Sequence, residues 1–291
     1  MTGDVRDFET VLAVARPRLH RYCARMTGSA VDGEDVVQDT MLKALVTWNS
    51  AGPVDNVEGW LFRIAHNTAL DALRLRRHDT RPLDEEHLEI AADTPDPDAA
   101  SASLRTFLRL PVLQRSVVIL KDVLGHSVEE AATITGASGA AVKSALQRGR
   151  SRLRELAREP GDVVLPLLSD RDREQLLAYV ECFQRGDFDA VRAMLAEDVR
   201  LDLVARLQRS GKAKVGEYFG RYATSDQWVF AAGAVDGQAA MLVYDRHDVR
   251  ETPAHFVVLG WSGSRVAWIR DFLFAPYVLD GAGVLTLPPA E

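Results

Sequence analysis

The 291-residue chain has no run of 18 or more apolar residues, so no segment reads as a transmembrane helix. Its first residues, Met1-Thr2-Gly3-Asp4-Val5-Arg6-Asp7-Phe8, lack the basic-then-apolar order of a secretory signal. A cytoplasmic protein without a membrane partner is therefore expected. Cysteine is scarce: Cys23 and Cys182 lie far apart, each in an apolar helical context, which argues against a disulfide framework or a cysteine zinc site and marks both as buried thiols. Glycine-rich phosphate loops, paired zinc-type histidines and a nucleophile elbow are also missing. Nucleotide, metal and hydrolase classes fall away with them, and no metal or other cofactor is expected. There are no internal repeats.

What is present is an ordinary globular composition, 47% hydrophobic and 26% charged, enough to bury real cores. The formal net charge of −7 says less than its distribution. Residues 1–158 carry 21 basic against 22 acidic side chains, and residues 159–291 carry 14 against 20. Within the first part, Asp79 to Asp98 holds eight acidic residues against Arg81 alone, while Val142 to Arg158 holds six basic residues against Glu155 alone.

Periodicity divides the chain. Apolar residues recur at three and four up to residue 78, as in Val36, Val37, Met41, Leu42, Leu45 and Val46, and again in Leu61, Ile64, Ala65, Ala69 and Leu73, which predicts an all-α domain over 1–78. Residues 79–102 are acidic and proline-bearing, a flexible linker. Helical spacing returns over 103–158, a second all-α domain opened by Leu110-Pro111. After a linker at 159–170, the last domain, 171–291, starts with two amphipathic helices. Its period then shifts toward two in Val229–Ala234, Ala239–Val249, His255–Trp261 and Val266–Phe274, with turns at Asp236-Gly237 and Ser262-Gly263-Ser264. That pattern predicts an α+β domain with an antiparallel sheet.

Gly125 to Arg154 is the most informative stretch. Ser127 and Glu130 form a capping box for a short helix that Gly136 stops, and Ser138 caps a second helix to about Leu156. Two such helices joined through a glycine turn are a helix-turn-helix, whose second helix enters a DNA major groove. On it Val142, Leu146, Gly149, Leu153 and Leu156 line one face, and Lys143, Gln147, Arg150 and Arg154 another that is expected to be free. Ser138, Lys143, Ser144 and Gln147 are placed to meet base edges; Arg148, Arg150, Arg152 and Arg154 are placed to meet phosphates.

Together these residues resemble the extracytoplasmic-function sigma factors, the promoter-recognition subunits of bacterial RNA polymerase. Leu110-Pro111-Val112-Leu113-Gln114-Arg115 through Leu153-Arg154 is similar to their fourth region, Asp32-Gly33-Glu34-Asp35-Val36-Val37-Gln38-Asp39-Thr40 to their polymerase-binding helix, and Trp60-Leu61-Phe62-Arg63-Ile64-Ala65-His66-Asn67 to their minus-ten-reading helix. The resemblance implies core polymerase and promoter DNA as partners. Polymerase would meet Asp35, Gln38 and Asp39 on a polar helix edge opposite Val37, Met41 and Leu45. The minus-ten element would meet Arg63, Asn67, Asp71, Arg74 and Arg77. The loop from Trp48 to Asn56 would capture an unstacked base through Asn49 and Ser50, with Trp48 either wedging into the stack or packing in the core. The helix-turn-helix would read the minus-thirty-five element.

The last domain resembles the SnoaL-like, ketosteroid-isomerase-like or NTF2-like cone, on Leu176 to Phe183, Gly186 to Ala190, Leu195 to Val199 and Val266 to Phe272. In some sigma factors such a domain regulates in place of a separate anti-sigma protein. Asp202, His247, His255 and Asp271 are its candidate pocket residues, with a small molecule as candidate ligand and no recognisable catalytic constellation. The stretch Ala205 to Ser210 departs from the small-residue and proline pattern of such domains, and Arg206, Arg209, Lys212 and Lys214 read as a basic patch. The expectation is a multidomain, non-enzymatic sigma factor, monomeric when free and regulated in cis. Its rival is a cyclase, isomerase or ligand sensor fused to a DNA-binding module. A one-component repressor would need a dimerisation helix, and none is evident.

Overall fold

The computed structural model describes residues 5–48, 50, 52–76, 99, 102–159, 168–248 and 252–288. It divides into two compact units, Met1–Val163 and Val164–Glu291. Most of the acidic 79–102 stretch and of the 159–170 stretch lies outside the described residues.

The N-terminal unit is helical: α1 (Val5–Thr27), α2 (Ala30–Trp48), α3 (Val57–Arg76), α4 (Leu104–Leu108), α5 (Val112–Val118, continued by a π-helical turn at Ile119–Val123), α6 (Val128–Thr135) and α7 (Gly139–Arg158). Local chemistry sets several of these ends. Ser127 accepts from the Glu130 N–H while the Glu130 carboxylate accepts from the Ser127 N–H, closing the capping box, and Gly136 ends α6 at φ 71°, where a side chain would be strained. Ser138 then caps α7 through the Ala141 N–H. Gly149 lets α7 cross α5 closely, since a Cβ there would stand 2.6 Å from Val118 Cγ2.

The two helical regions, expected as separate domains, share one hydrophobic core. It runs from Leu19, Tyr22, Met26, Val37, Leu61 and Phe62 through Phe107, Val117 and Ile119 to Ile134, Leu146 and Leu153. The reason is that α1 and α3 carry more apolar surface than α2 covers: the Phe62 ring meets His126 edge-on at 4.8 Å, and the Ser116 hydroxyl donates to Met26 Sδ at 3.5 Å.

The C-terminal unit begins with α8 (Asp170–Gln184) and α9 (Phe188–Ala193). A seven-stranded sheet follows, β1 (Leu195–Leu203), β2 (Leu207–Ser210), β3 (Trp228–Val235), β4 (Gln238–Asp245), β5 (His255–Ser262), β6 (Arg265–Asp271) and β7 (Val284–Thr286), with α10 (Lys212–Gly216) and α11 (Gly220–Ala223) between β2 and β3. The order is β2-β1-β6-β5-β4-β3-β7. All pairs are antiparallel except β1 with β6. Asp236, at φ 53°, and Gly237, at φ 85°, make the β3–β4 turn, the primed geometry that matches strand twist. The core gathers Leu176, Phe183, Val199, Leu201, Phe219, Met241, Val257 and Ile269 between helices and sheet. Both expected fold classes are present: helical first, then α+β. The departing stretch at 205–210 supplies β2, an edge strand exposed at all four residues.

Candidate nucleic-acid interface

On α7 the hydrophobic side is the one expected, with Val142, Leu146, Gly149, Leu153 and Leu156 buried. Ser138, Lys143 and Arg154 are exposed, and Ser144, Gln147 and Arg148 are half-buried. Arg150 departs from expectation. It is 3% exposed and grips Asp122 with both ends of its fork, Nε to Oδ2 at 2.9 Å and Nη2 to Oδ1 at 2.6 Å. It therefore does not belong to the phosphate-facing set. Position 150 lies on the edge of the apolar stripe, and the carboxylate from the π-helical turn after α5 makes burial of its charge tolerable. The Arg148 Nε is buried with no hydrogen-bond partner among the described residues.

Along α3 the exposed edge holds Arg63, Asn67, Asp71 and Arg74, spaced at three and four as one face requires. Asp71 accepts from Arg74 at 3.2 Å and lies 3.9 Å from Lys43 Nζ of α2. Arg77 and Asn49 lie outside the described residues. Ser50 is exposed, its hydroxyl donating to the Thr47 carbonyl at 3.0 Å. Trp48 is not a free wedge: its ring stacks on Phe8 at 3.9 Å with planes 8° apart and lies 5.7 Å from Trp60. Of the two readings of this indole, packing is the one realised. Behind α3, His66 accepts or donates at 2.7 Å with the Tyr22 hydroxyl, and burial pushes its pKa down to about 4.

On α2, Asp35 and Asp39 are exposed and Gln38 is half-buried, the expected polar edge. The periodicity also placed Leu42, Leu45 and Val46 among core positions, but they are 57%, 39% and 80% exposed. Beside the acidic edge they form an apolar strip that no helix among the described residues covers. Sequence reasoning missed it because an apolar residue at helical spacing looks the same whether the covering partner is in the chain or outside it. Glu34, fully buried, is held by Arg16 through a salt bridge.

Of the four pocket candidates in the C-terminal unit, two converge. Asp271 is fully buried and His255 is 1% exposed, with His255 Nε2 3.9 Å from Asp271 Oδ1. Tyr218 and Tyr222 hydroxyls both donate to Asp271 Oδ2, Tyr222 at 3.0 Å, and the Leu273 N–H donates to Oδ1 at 2.8 Å. Tyr222 also bonds His255 Nε2 at 3.1 Å. Burial raises both phenols well above their ordinary pKa, helped by the Asp271 charge, and burial lowers His255. Asp202 stands elsewhere, accepting from Arg270 Nε at 3.1 Å, because strand alternation puts position 270 on the face opposite 271. His247 is exposed in the turn after β4. In the basic patch Arg209 pairs with Glu217 and Lys212 with Glu197. Among the described residues no group of three or more His, Cys, Asp or Glu could hold a metal ion, and no helix is long and apolar enough to cross a membrane.

Residues 13–79 match the Sigma-70 region 2 family and residues 104–153 the Sigma-70 region 4 family. The chain is 27% identical to the extracytoplasmic-function sigma factor SigG of Mycobacterium tuberculosis, over 92% of this chain and 81% of that protein. It is 34% identical to SigM of the same organism, over 54% of this chain and 80% of SigM. The crystal structure of M. tuberculosis SigJ, another such sigma factor, aligns over 92% of this chain and 95% of its own at 20% identity with a TM-score of 0.37. Both matched regions coincide with the two helical regions whose exposed faces carry the polar and basic residues. With SigM covered over most of its length, the chain belongs to the extracytoplasmic-function RNA polymerase sigma factors, the subunits that take core polymerase to promoter DNA.

Proposed function

We propose that α7 reads the minus-thirty-five element through Ser138, Lys143, Ser144 and Gln147, with Arg148 and Arg154 on phosphates. In the same scheme α3 reads the minus-ten element through Arg63, Asn67, Asp71 and Arg74, joined by Arg77, while Asn49 and Ser50 take an unstacked base. Asp35, Gln38 and Asp39 dock on core polymerase together with Leu42, Leu45 and Val46. The observation that carries this reading is the division of α7, which keeps Lys143 and Arg154 in solvent while Arg150 is withdrawn into a buried pair. An exposed apolar strip flanked by carboxylates on α2 is what a protein interface needs.

The C-terminal unit regulates in cis, and the free chain is a monomer. A small polar ligand of that unit is supported by the Tyr179 hydroxyl, which is buried near the Asp271 charge and has no hydrogen-bond partner among the described residues. Run-off transcription with purified core polymerase tests the promoter assignments. Lys143→Ala and Gln147→Ala should change preference among upstream elements, Arg154→Ala should lower binding about equally on all of them, and Arg150→Ala should act through stability. Unchanged preference for Lys143→Ala would overturn the placement of the reading face.

A further inference from the structure

Asp271, fully buried on β6, holds a negative charge that its hydrogen bonds share but do not cancel. The Tyr218 and Tyr222 hydroxyls donate to Oδ2 and the Leu273 N–H to Oδ1. Among the described residues its one salt-bridge partner is His255, at 3.9 Å, and burial lowers the pKa of that imidazole, which is therefore uncharged at neutral pH. Arg270, the preceding residue, turns to the other face and pairs with Asp202. A buried charge without an opposite charge beside it is costly in a core.

The cluster also has acceptor capacity to spare. A carboxylate offers about four lone-pair positions, and these donors fill both on Oδ2 but only one on Oδ1. The Tyr179 hydroxyl is buried with no hydrogen-bond partner among the described residues, close enough to Asp271 for that charge to help raise its pKa. Aromatic rings surround these groups. Tyr222 lies 5.5 Å from Phe183 and 5.6 Å from Phe230, and Trp228 meets His255 edge-on at 5.1 Å. Trp228 and Phe230 are half-buried on β3, so the aromatic wall runs from the partners of Asp271 to solvent. In such surroundings a cation gains from the ring faces, whereas an anion meets a like charge.

We propose that this cluster binds a small protonated amine, whose N–H groups donate to Asp271 Oδ1 and to the Tyr179 oxygen while its charge sits among the rings of Tyr222 and Phe230. The inference rests on the reading that the C-terminal unit takes a small polar ligand, and it names the class of that ligand. An ammonium group supplies the opposite charge that Asp271 lacks and the partner that Tyr179 lacks. A carboxylate ligand would add a second negative charge to the core, and an alcohol would leave the first one uncancelled. Bound amine stabilises the folded unit by mass action.

The test is titration calorimetry on the full chain with butylammonium, butanol and butyrate, one carbon chain carrying three charges. Butylammonium should bind at least about tenfold more tightly than butanol, and butyrate should not bind. Tyr179→Phe deletes an oxygen that has no partner, so it should melt like the wild type. It should weaken butylammonium about three- to tenfold and leave tetramethylammonium, which has no N–H to donate, unchanged. Asp271→Asn should bring butylammonium down to butanol; if that variant melts early, the three probes and Tyr179→Phe decide the matter. Butanol or butyrate binding as tightly as butylammonium would keep a small ligand and overturn its cationic class. Wild-type affinity of Tyr179→Phe for butylammonium would overturn the placement, and no binding by any of the probes would overturn the ligand reading with it.

Discussion

The two units place their polar chemistry in opposite positions. In the N-terminal unit the groups proposed to meet polymerase and DNA stand on helix surfaces, and a buried fork, Arg150 with Asp122, braces α7 from behind. In the C-terminal unit the polar groups turn inward, where Asp271, Tyr218, Tyr222 and His255 bond one another inside the core. A recognition surface built on helix exteriors can change residue by residue without loss of fold. A network sealed in a core cannot, because each group removed leaves another unsatisfied.

Substitutions can break that contrast in order of expected size. Asp122→Ala leaves the Arg150 charge buried and unpaired, and should cost about 3–5 kcal/mol in chemical denaturation, with loss of promoter binding following from loss of fold. If stability is retained, the fork is not the brace of α7.

Acid should act next. His66 titrates near pH 4 in the folded chain against an ordinary value of 6.5, so the unfolded chain binds the extra proton first. The contribution is present above pH 6.5 and is lost as pH falls from 6.5 to 4, up to about 3 kcal/mol at about 1.4 per unit. The slope of stability against pH in this range should flatten in His66→Gln. An unchanged slope would assign the acid sensitivity to other groups.

Asp271→Asn keeps the shape but removes the charge that accepts from two phenols. About 1.5–3 kcal/mol should be lost from the C-terminal unit, while core polymerase binding by the helical surface persists. Equal loss in both units would erase the distinction between them.

Much of this was legible in the chain itself. The capping box at Ser127 and Glu130, the glycine stop at 136 and the Ser138 cap are signals within a few residues, and each is realised. The exposed edges of α2 and α3 follow from helical spacing. Besides the apolar strip of α2, three features were not legible. The Arg150–Asp122 fork joins residues 28 apart in sequence, and nothing local tells a cation bound for a carboxylate from one bound for phosphate. The shared core of the two helical regions depends on pairing across a segment with no apolar period. The Asp271 cluster draws its phenols from the segment between β2 and β3, so His255 and Asp271 could be named but not joined.

The single parallel pairing in the sheet sets an order of events at the ribosome. Leu195 of β1 aligns with Val266 of β6, so the first strand has no neighbour on that side until about 70 further residues exist, some 4–14 s of synthesis at about 5–20 residues per second. The helical unit, complete far earlier, is already able to fold through that interval. A newborn chain thus passes through a stage in which its promoter-reading half exists without its C-terminal unit.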